Sequence, residues 1–165
     1  MSERREFLKL TLKGGAGIMI GGMGFSAKSY ANIMGSNERI NMAVIGIRGQ
    51  GGTHINSWCK LKDNRNVHLK TLCDTDEAEW AKPSKTVLDQ TGVTPLNEWD
   101  MNKVFADKEI HAVSFAVPNH WHALGTILAC QAGKHVYVEK PASHNIFEGR
   151  KMIEAARKYK VRVQV

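Results

Sequence analysis

Glu139-Lys140-Pro141 stands directly after the apolar run His135-Val136-Tyr137-Val138, which puts a primary amine beside a carboxylate where a strand should end. In an open α/β sheet the carboxyl ends of the strands are where ligands bind. A neighbouring carboxylate and a dry surface can tune such an amine for proton transfer at a reacting oxygen. The competing reading is a solvated lysine closing an ordinary strand, and the tripeptide alone leaves both open.

A second set of residues bears on that choice. The apolar run Met42-Ala43-Val44-Ile45 leads into Gly46-Ile47-Arg48-Gly49-Gln50-Gly51-Gly52-Thr53-His54. A Gly-rich turn between a strand and a helix brings backbone N–H groups and a helix N-terminus to a pyrophosphate. The G-x-G-x-x-G register uses Gly46, position 48 and Gly51, and position 48 is Arg. Either Gly49 serves in a loop one residue longer, or Arg48 turns outward and adds a charge-assisted contact. Asp74 closes the next strand candidate, roughly 20 residues beyond the glycines, where a carboxylate accepts from the adenosine ribose hydroxyls. Its charge would repel a 2′-phosphate, so NAD is expected and NADP less so. A solvated Asp opening the next helix is the alternative.

Pro118-Asn119-His120-Trp121-His122 follows a further apolar run at 112–117. His120 and His122 could suggest a metal pair, but no third cluster with ligand spacing accompanies them, and no metal is expected. We read the segment as lining the cofactor crevice, with Trp121 packing at a helix entrance and one histidine purely structural.

These residues need elements to hold them. Strands are expected at 42–45, 67–73, 93–96, 112–117, 135–138 and 162–165. Helices are expected at 52–61, from 77 or 83 to 90, and at 101–106, 121–131 and 146–159, with a turn around 63–66. Alternation of this kind predicts an α/β fold with a doubly wound parallel sheet, a Rossmann NAD(P)-binding domain over 40–165.

The chain has 165 residues, 42% hydrophobic and 24% charged, which suits one globular domain. Of its formal charge of +7, residues 1–31 carry +3, with five basic and two acidic side chains, and the remaining +4 is spread over the rest. The rest shows no basic stripe, so nucleic acid is not an expected partner. Ser2-Glu3-Arg4-Arg5-Glu6-Phe7-Leu8-Lys9, a Gly-rich weakly apolar stretch and Ser29-Tyr30-Ala31 have the layout of an export signal. The apolar part is too short for a comfortable membrane span, so no stable anchor is expected. Paired arginines before Phe-Leu-Lys resemble a twin-arginine leader over 1–31, followed by a linker at 32–39. A periplasmic or exported protein and the twin-arginine machinery as a partner are expected. Cys59, Cys73 and Cys130 form no C-x-x-C pair and read as small buried hydrophobes.

Taken together, the Gly46–Gly51 turn, Cys73-Asp74, residues 118–122 and Ala132-Gly133-Lys134-His135-Val136-Tyr137-Val138-Glu139-Lys140-Pro141 resemble the glucose–fructose oxidoreductase / inositol dehydrogenase (Gfo/Idh/MocA) family. The resemblance covers nearly all of residues 40–165. It implies an oxidoreductase acting with NAD(P) on a hydroxyl or carbonyl carbon of a sugar or polyol-like substrate. It makes Lys140 the catalytic-site lysine, and has Glu139 fix the nicotinamide ribose and Lys140. Asn119 and His120 would contact the cofactor, with His122 a neighbour. Pro141 would follow a cis peptide bond. The family's C-terminal α/β substrate domain has no counterpart here, so the chain reads as truncated at its C-terminal end, with homo-oligomers expected only of a full-length protein. Two rival readings remain: a nucleotide-binding module without catalytic competence, and an NAD-dependent glycosidase acting by oxidation and elimination, which the Gly-Ile-Arg-Gly-Gln stretch suggests.

Overall fold

A computed structural model describes residues 39–165; the expected leader and, apart from Arg39, its linker lie outside the described residues. In chain order the elements are β1 (Ile40–Ile45), α1 (Gln50–Cys59), α2 (Lys62–Arg65), β2 (Val67–Cys73), α3 (Ala81–Thr91) and β3 (Leu96–Glu98). The second half holds α4 (Met101–Ala106), β4 (Ala112–Phe115), α5 (His122–Gln131), β5 (His135–Val138), α6 (Ile146–Tyr159) and β6 (Val163–Gln164). Among the described residues all strand pairings are parallel, and one six-stranded sheet runs β3-β2-β1-β4-β5-β6. The order reverses between β1 and β4, which opens a crevice at their carboxyl ends.

The alternation of side chains along each strand divides the core between two faces. Ala43 and Ile45 of β1 join Val113 and Phe115 of β4, Val136 and Val138 of β5, and buried residues of α4, α5 and α6. Met42 and Val44 point the other way, with Leu69 and Leu72 of β2, Ile55 and Cys59 of α1 and Val87 of α3. Helices thus cover both faces, which is why the strands read as apolar runs. An extra residue in β2 opposite Met42 and Ala43 shifts the register there, so Met42 pairs Leu69 and Ala43 pairs Thr71.

Local chemistry sets the ends of the elements. Asn145 caps α6 by accepting from the Glu148 N–H, while Glu148 accepts from Asn145 Nδ2 and the His144 N–H, a reciprocal capping arrangement. Gly92, at φ +71°, ends α3. The third strand forms at Leu96–Glu98 rather than at 93–96, because the Val93 N–H turns back onto the Thr91 hydroxyl and residues 92–95 make the turn. β4 ends at Phe115, two residues earlier than expected, and α1 begins two residues earlier than expected, at Gln50. The expected turn at 63–66 is a single helical turn, α2, closed by Asn66 at φ +51°.

Phe115 is fully buried, with its ring 6.2 Å from that of Phe105 and in the path of any side chain at Gly125. Phe115→Ala should destabilise the domain by about 3–5 kcal/mol, read as a lower urea midpoint at unchanged slope.

Candidate functional site

The turn after β1 is built by close approach. Gly46 has φ +82°, and a Cβ there would lie 2.5 Å from the Ala116 carbonyl oxygen. A Cβ on Gly51 would lie 2.0 Å from the Gly46 carbonyl oxygen. Only glycine fits either position, so these are the first and third glycines of the fingerprint, and the loop has its ordinary length. Gly49 occupies φ +50° with open space around its Cα. Of the two accommodations open to Arg48, the outward one is found. Its guanidinium is exposed, with Nη1 3.4 Å from Asp76 Oδ2 and 4.0 Å from Glu79 Oε1, so its charge-assisted contact is to carboxylates. Helix α1 starts at Gln50 with no side chain capping it.

Asp74 holds this turn in place. Its Oδ2 accepts from the Ile47 N–H at 3.1 Å and its Oδ1 from the Asp76 N–H at 3.1 Å. Each carboxylate oxygen keeps a further lone pair, enough to accept from ribose hydroxyls. A cleft of about 530 Å³ opens beside it, lined by Gly46, Arg48 and Asp74 on one wall and by Pro118 and Trp121 on another. Trp99 and Met101 also line it; Trp99 carried no recognisable signal in the sequence. Cys73 lines it too, and burial pushes its thiol up to about 12, with Glu98, Asp74 and Asp100 adding, so it is no nucleophile at neutral pH.

Glu139 and Lys140 lie at the end of β5, outside that cleft's lining. Glu139 Oε1 accepts from His54 Nε2 at 2.8 Å and Gln50 Nε2 at 3.1 Å, and Oε2 accepts from the Lys140 N–H at 3.2 Å. The His54 hydrogen bond holds the Glu139 carboxyl below its usual range; burial opposes this, and Gln50 and the Lys140 N–H assist. Lys140 is exposed, and its bond to Pro141 is cis. Neither Gln50 nor His54 stood out in the sequence. Their i, i+4 spacing puts both on one helix face, but nothing local names a partner 89 or 85 residues away.

The Pro118–His122 segment divides its roles. Pro118 precedes a 3-10 turn, Asn119–Trp121, in which His120 is exposed with its ring 6.1 Å from that of Trp121. Asn119 Oδ1 is buried and has no hydrogen-bond partner. His122, expected as a cofactor neighbour, is placed apart from Asn119 and His120. The ring is buried, with Nδ1 2.6 Å from the Pro141 carbonyl and Nε2 2.9 Å from the Val117 carbonyl. Both nitrogens face backbone acceptors, and a neutral ring donates to only one of them, so His122 sits between the loop after β5 and the end of β4. Among the described residues no group of three or more His, Cys, Asp or Glu side chains could hold a metal ion. No described helix is long and apolar enough to cross a membrane.

These residues fit a dinucleotide. The turn at Gly46 and Gly51 brings backbone and an uncapped helix start to one place, Asp74 has acceptor capacity left, and Asn119 has an orphaned buried oxygen. Residues 40–165 match the model of the Gfo/Idh/MocA oxidoreductase family, NAD-binding Rossmann fold, and the chain belongs to that family. It is 25% identical to a glycosyl hydrolase family 109 protein of Shewanella baltica over 93% of its length. The chain spans 36% of that relative's length. Among solved structures it is similar to GenD2 from gentamicin A biosynthesis in complex with NAD, at 26% identity and TM-score 0.66 over 77% of this chain and 34% of that one. It is also similar to the WlbA dehydrogenase of Chromobacterium violaceum, in complex with NADH and UDP-GlcNAcA. There the identity is 25% and the TM-score 0.63, over 76% of this chain and 34% of that one.

Because the folded Glu139 carboxyl titrates below its unfolded value, its contribution to stability is full above the ordinary glutamate range of about pH 4.3 and is lost as pH falls through the lower folded value. The stability gap between wild type and Glu139→Gln, measured by urea unfolding, should therefore hold from neutral pH to about pH 5 and narrow below it. A gap that stays constant down to pH 3 would exclude this linkage.

Proposed function

We propose that this domain binds NAD for hydride transfer to or from a hydroxyl or carbonyl carbon of a sugar or polyol-like substrate, with Lys140 as the acid–base group. The observation that carries the reading is the wiring of Glu139 and Lys140 to the first turns of α1, the helix that follows the glycine turn. Gly46, Gly49 and Gly51 would present backbone to the pyrophosphate, with the Arg48 guanidinium at the rim. Asp74 would accept from the adenosine ribose, and its negative charge disfavours a 2′-phosphate, so NAD is the preferred form. Asn119, His120 and Pro118 would border the cofactor, and Glu139 would fix its second ribose.

NAD, when bound, supplies the hydride acceptor or, in reduced form, the donor. Lys140 Nζ as free amine takes the proton of a substrate hydroxyl in oxidation; as ammonium it returns a proton to the oxygen in reduction. The carboxylate of Glu139 holds the Lys140 backbone N–H, so the amine is delivered from a fixed point. The sugar ligand in the WlbA structure supports the substrate class.

A second reading follows from the Shewanella relatives, whose names assign them to glycosyl hydrolase family 109. Glycoside cleavage by oxidation and elimination would use the same residues and return the cofactor unchanged. We further propose that residues 1–31 are a twin-arginine leader and the protein is exported; the paired arginines and the Ser29-Tyr30-Ala31 stretch support this. Assembly into homo-oligomers is proposed only for a full-length protein.

Lys140→Ala in the full-length protein should lower turnover about 10²–10⁴-fold, the range for a positioned acid–base group. NAD affinity by calorimetry should change less than about threefold, under 1 kcal/mol. Unaltered turnover removes the lysine from the mechanism. Net NADH formed from a sugar supports the oxidoreductase, whereas glycoside cleavage without net NADH supports the second reading.

A further inference from the structure

Ser114 and His54, both buried, and the half-buried Glu139 form a hydrogen-bonded line that joins three elements. Ser114 is fully buried in β4, and its hydroxyl lies 2.8 Å from His54 Nδ1. His54 is buried on α1, with Nε2 2.8 Å from Glu139 Oε1. An ionised carboxylate only accepts, so Nε2 carries the hydrogen; on the neutral ring Nδ1 is then an acceptor, and the Ser114 hydroxyl donates to it. The Ser-His-Glu order resembles a hydrolytic triad, but a hydroxyl sealed inside a central strand cannot reach a substrate. Its consequence is orientation. Tyr137 of β5 meets the His54 ring edge-on at 5.3 Å, which fixes the ring plane.

The line does not stop at Glu139. The His54 and Gln50 hydrogen bonds occupy Oε1, which turns Oε2 toward the Lys140 N–H. We propose that His54 is a positioning residue, set by Ser114 and acting through Glu139, that fixes the Lys140 backbone from which the amine extends. This inference rests on the proposed role of Lys140. His54 itself touches neither the proposed substrate nor the reacting atoms. It couples the helix behind the glycine turn to the end of β5, so a shift of α1 against the sheet would be felt at the lysine.

The test is competitive acetylation of the full-length protein with NAD present, the rate at Lys140 being compared with that at Lys82 on α3 by mass spectrometry. Beside it run steady-state turnover and calorimetry with NAD. His54→Phe keeps the ring edge against Tyr137 and removes both hydrogen bonds. It should change relative labelling of Lys140 by about threefold or more, roughly half a pKa unit. Turnover should fall about tenfold or more, as expected for a lost hydrogen bond to a charged group. NAD affinity should stay within about threefold. His54→Gln, which keeps an N–H donor at similar reach, should recover most of the labelling and turnover. Ser114→Ala should shift both in the same direction by less, and it decides the matter should His54→Phe fail to fold. Wild-type labelling in a folded His54→Phe or Ser114→Ala protein, or a His54→Gln protein no better than His54→Phe, overturns the proposal. The labelling does not require Lys140 to do chemistry. Full turnover in Lys140→Ala with labelling that still follows His54 therefore sinks the acid–base role of Lys140 and leaves the relay, and the reverse pattern sinks the relay alone.

Discussion

At the junction of β1 and α1 the backbone passes so close to itself that a methyl group at Gly51 would overlap the Gly46 carbonyl, and one at Gly46 would overlap Ala116. That contact sets the angle at which α1 leaves the sheet, and with it the direction of the helix start and the place of every side chain on the helix. Ala116 belongs to the connection after β4, so the same contact fixes the two strands between which the order reverses. The crevice exists because β1 and β4 diverge there, each carrying its helix to an opposite face. Asp74 secures the turn from the other side by accepting the Ile47 N–H. A longer or bulkier turn would move the floor on which the proposed cofactor rests.

Polar groups are then placed where burial makes them expensive to leave unpaired. Ser114, His54 and Glu139 satisfy one another across strand, helix and strand end. His122 lies between the Val117 and Pro141 carbonyls, so the segment holding Lys140 is bonded at Glu139 and packed against His122 at Pro141. The lysine between these contacts remains exposed. Rigid backbone under an open amine is what proton transfer at a shared crevice requires. The Arg48 pairs with Asp76 and Glu79 are exposed and so contribute little to stability. Their effect is to keep the guanidinium at the rim, clear of the backbone it would otherwise obstruct.

Much of this was legible in the residues. The apolar runs at 42–45 and 112–117 stood out because a strand covered on both faces is largely apolar, and 67–73 and 135–138 read as strands although they carry His68, Lys70 and His135. Gly92 and Gly133 marked helix ends because each takes a positive φ. The third strand was misplaced because Val93 is a strand-favouring residue in a turn governed by the Thr91 hydroxyl, a hydrogen bond with no periodic signature. His122 read as a cofactor neighbour because it sits in a motif with Asn119 and His120. Helix phase turns its ring inward, and a two-residue spacing in sequence cannot reveal that. Trp99 was silent because its contribution to the cleft comes from the connection after β3, far from any motif.

Local and periodic information thus determined which segments pair into a parallel sheet, where the glycine turn lies, and which strand end carries the lysine. These follow from backbone sterics and the alternation of apolar side chains, which act over a few residues. Only the tertiary structure decided the partners: Glu139 with His54, His54 with Ser114, His122 with two carbonyls, and Arg48 with carboxylates instead of backbone. Each of these joins residues held together by packing and not by neighbourhood in the chain, or depends on a side-chain direction set by that packing. A hydrogen bond over 60 or 85 residues is a consequence of how the sheet is wound, and no short stretch of the chain encodes it.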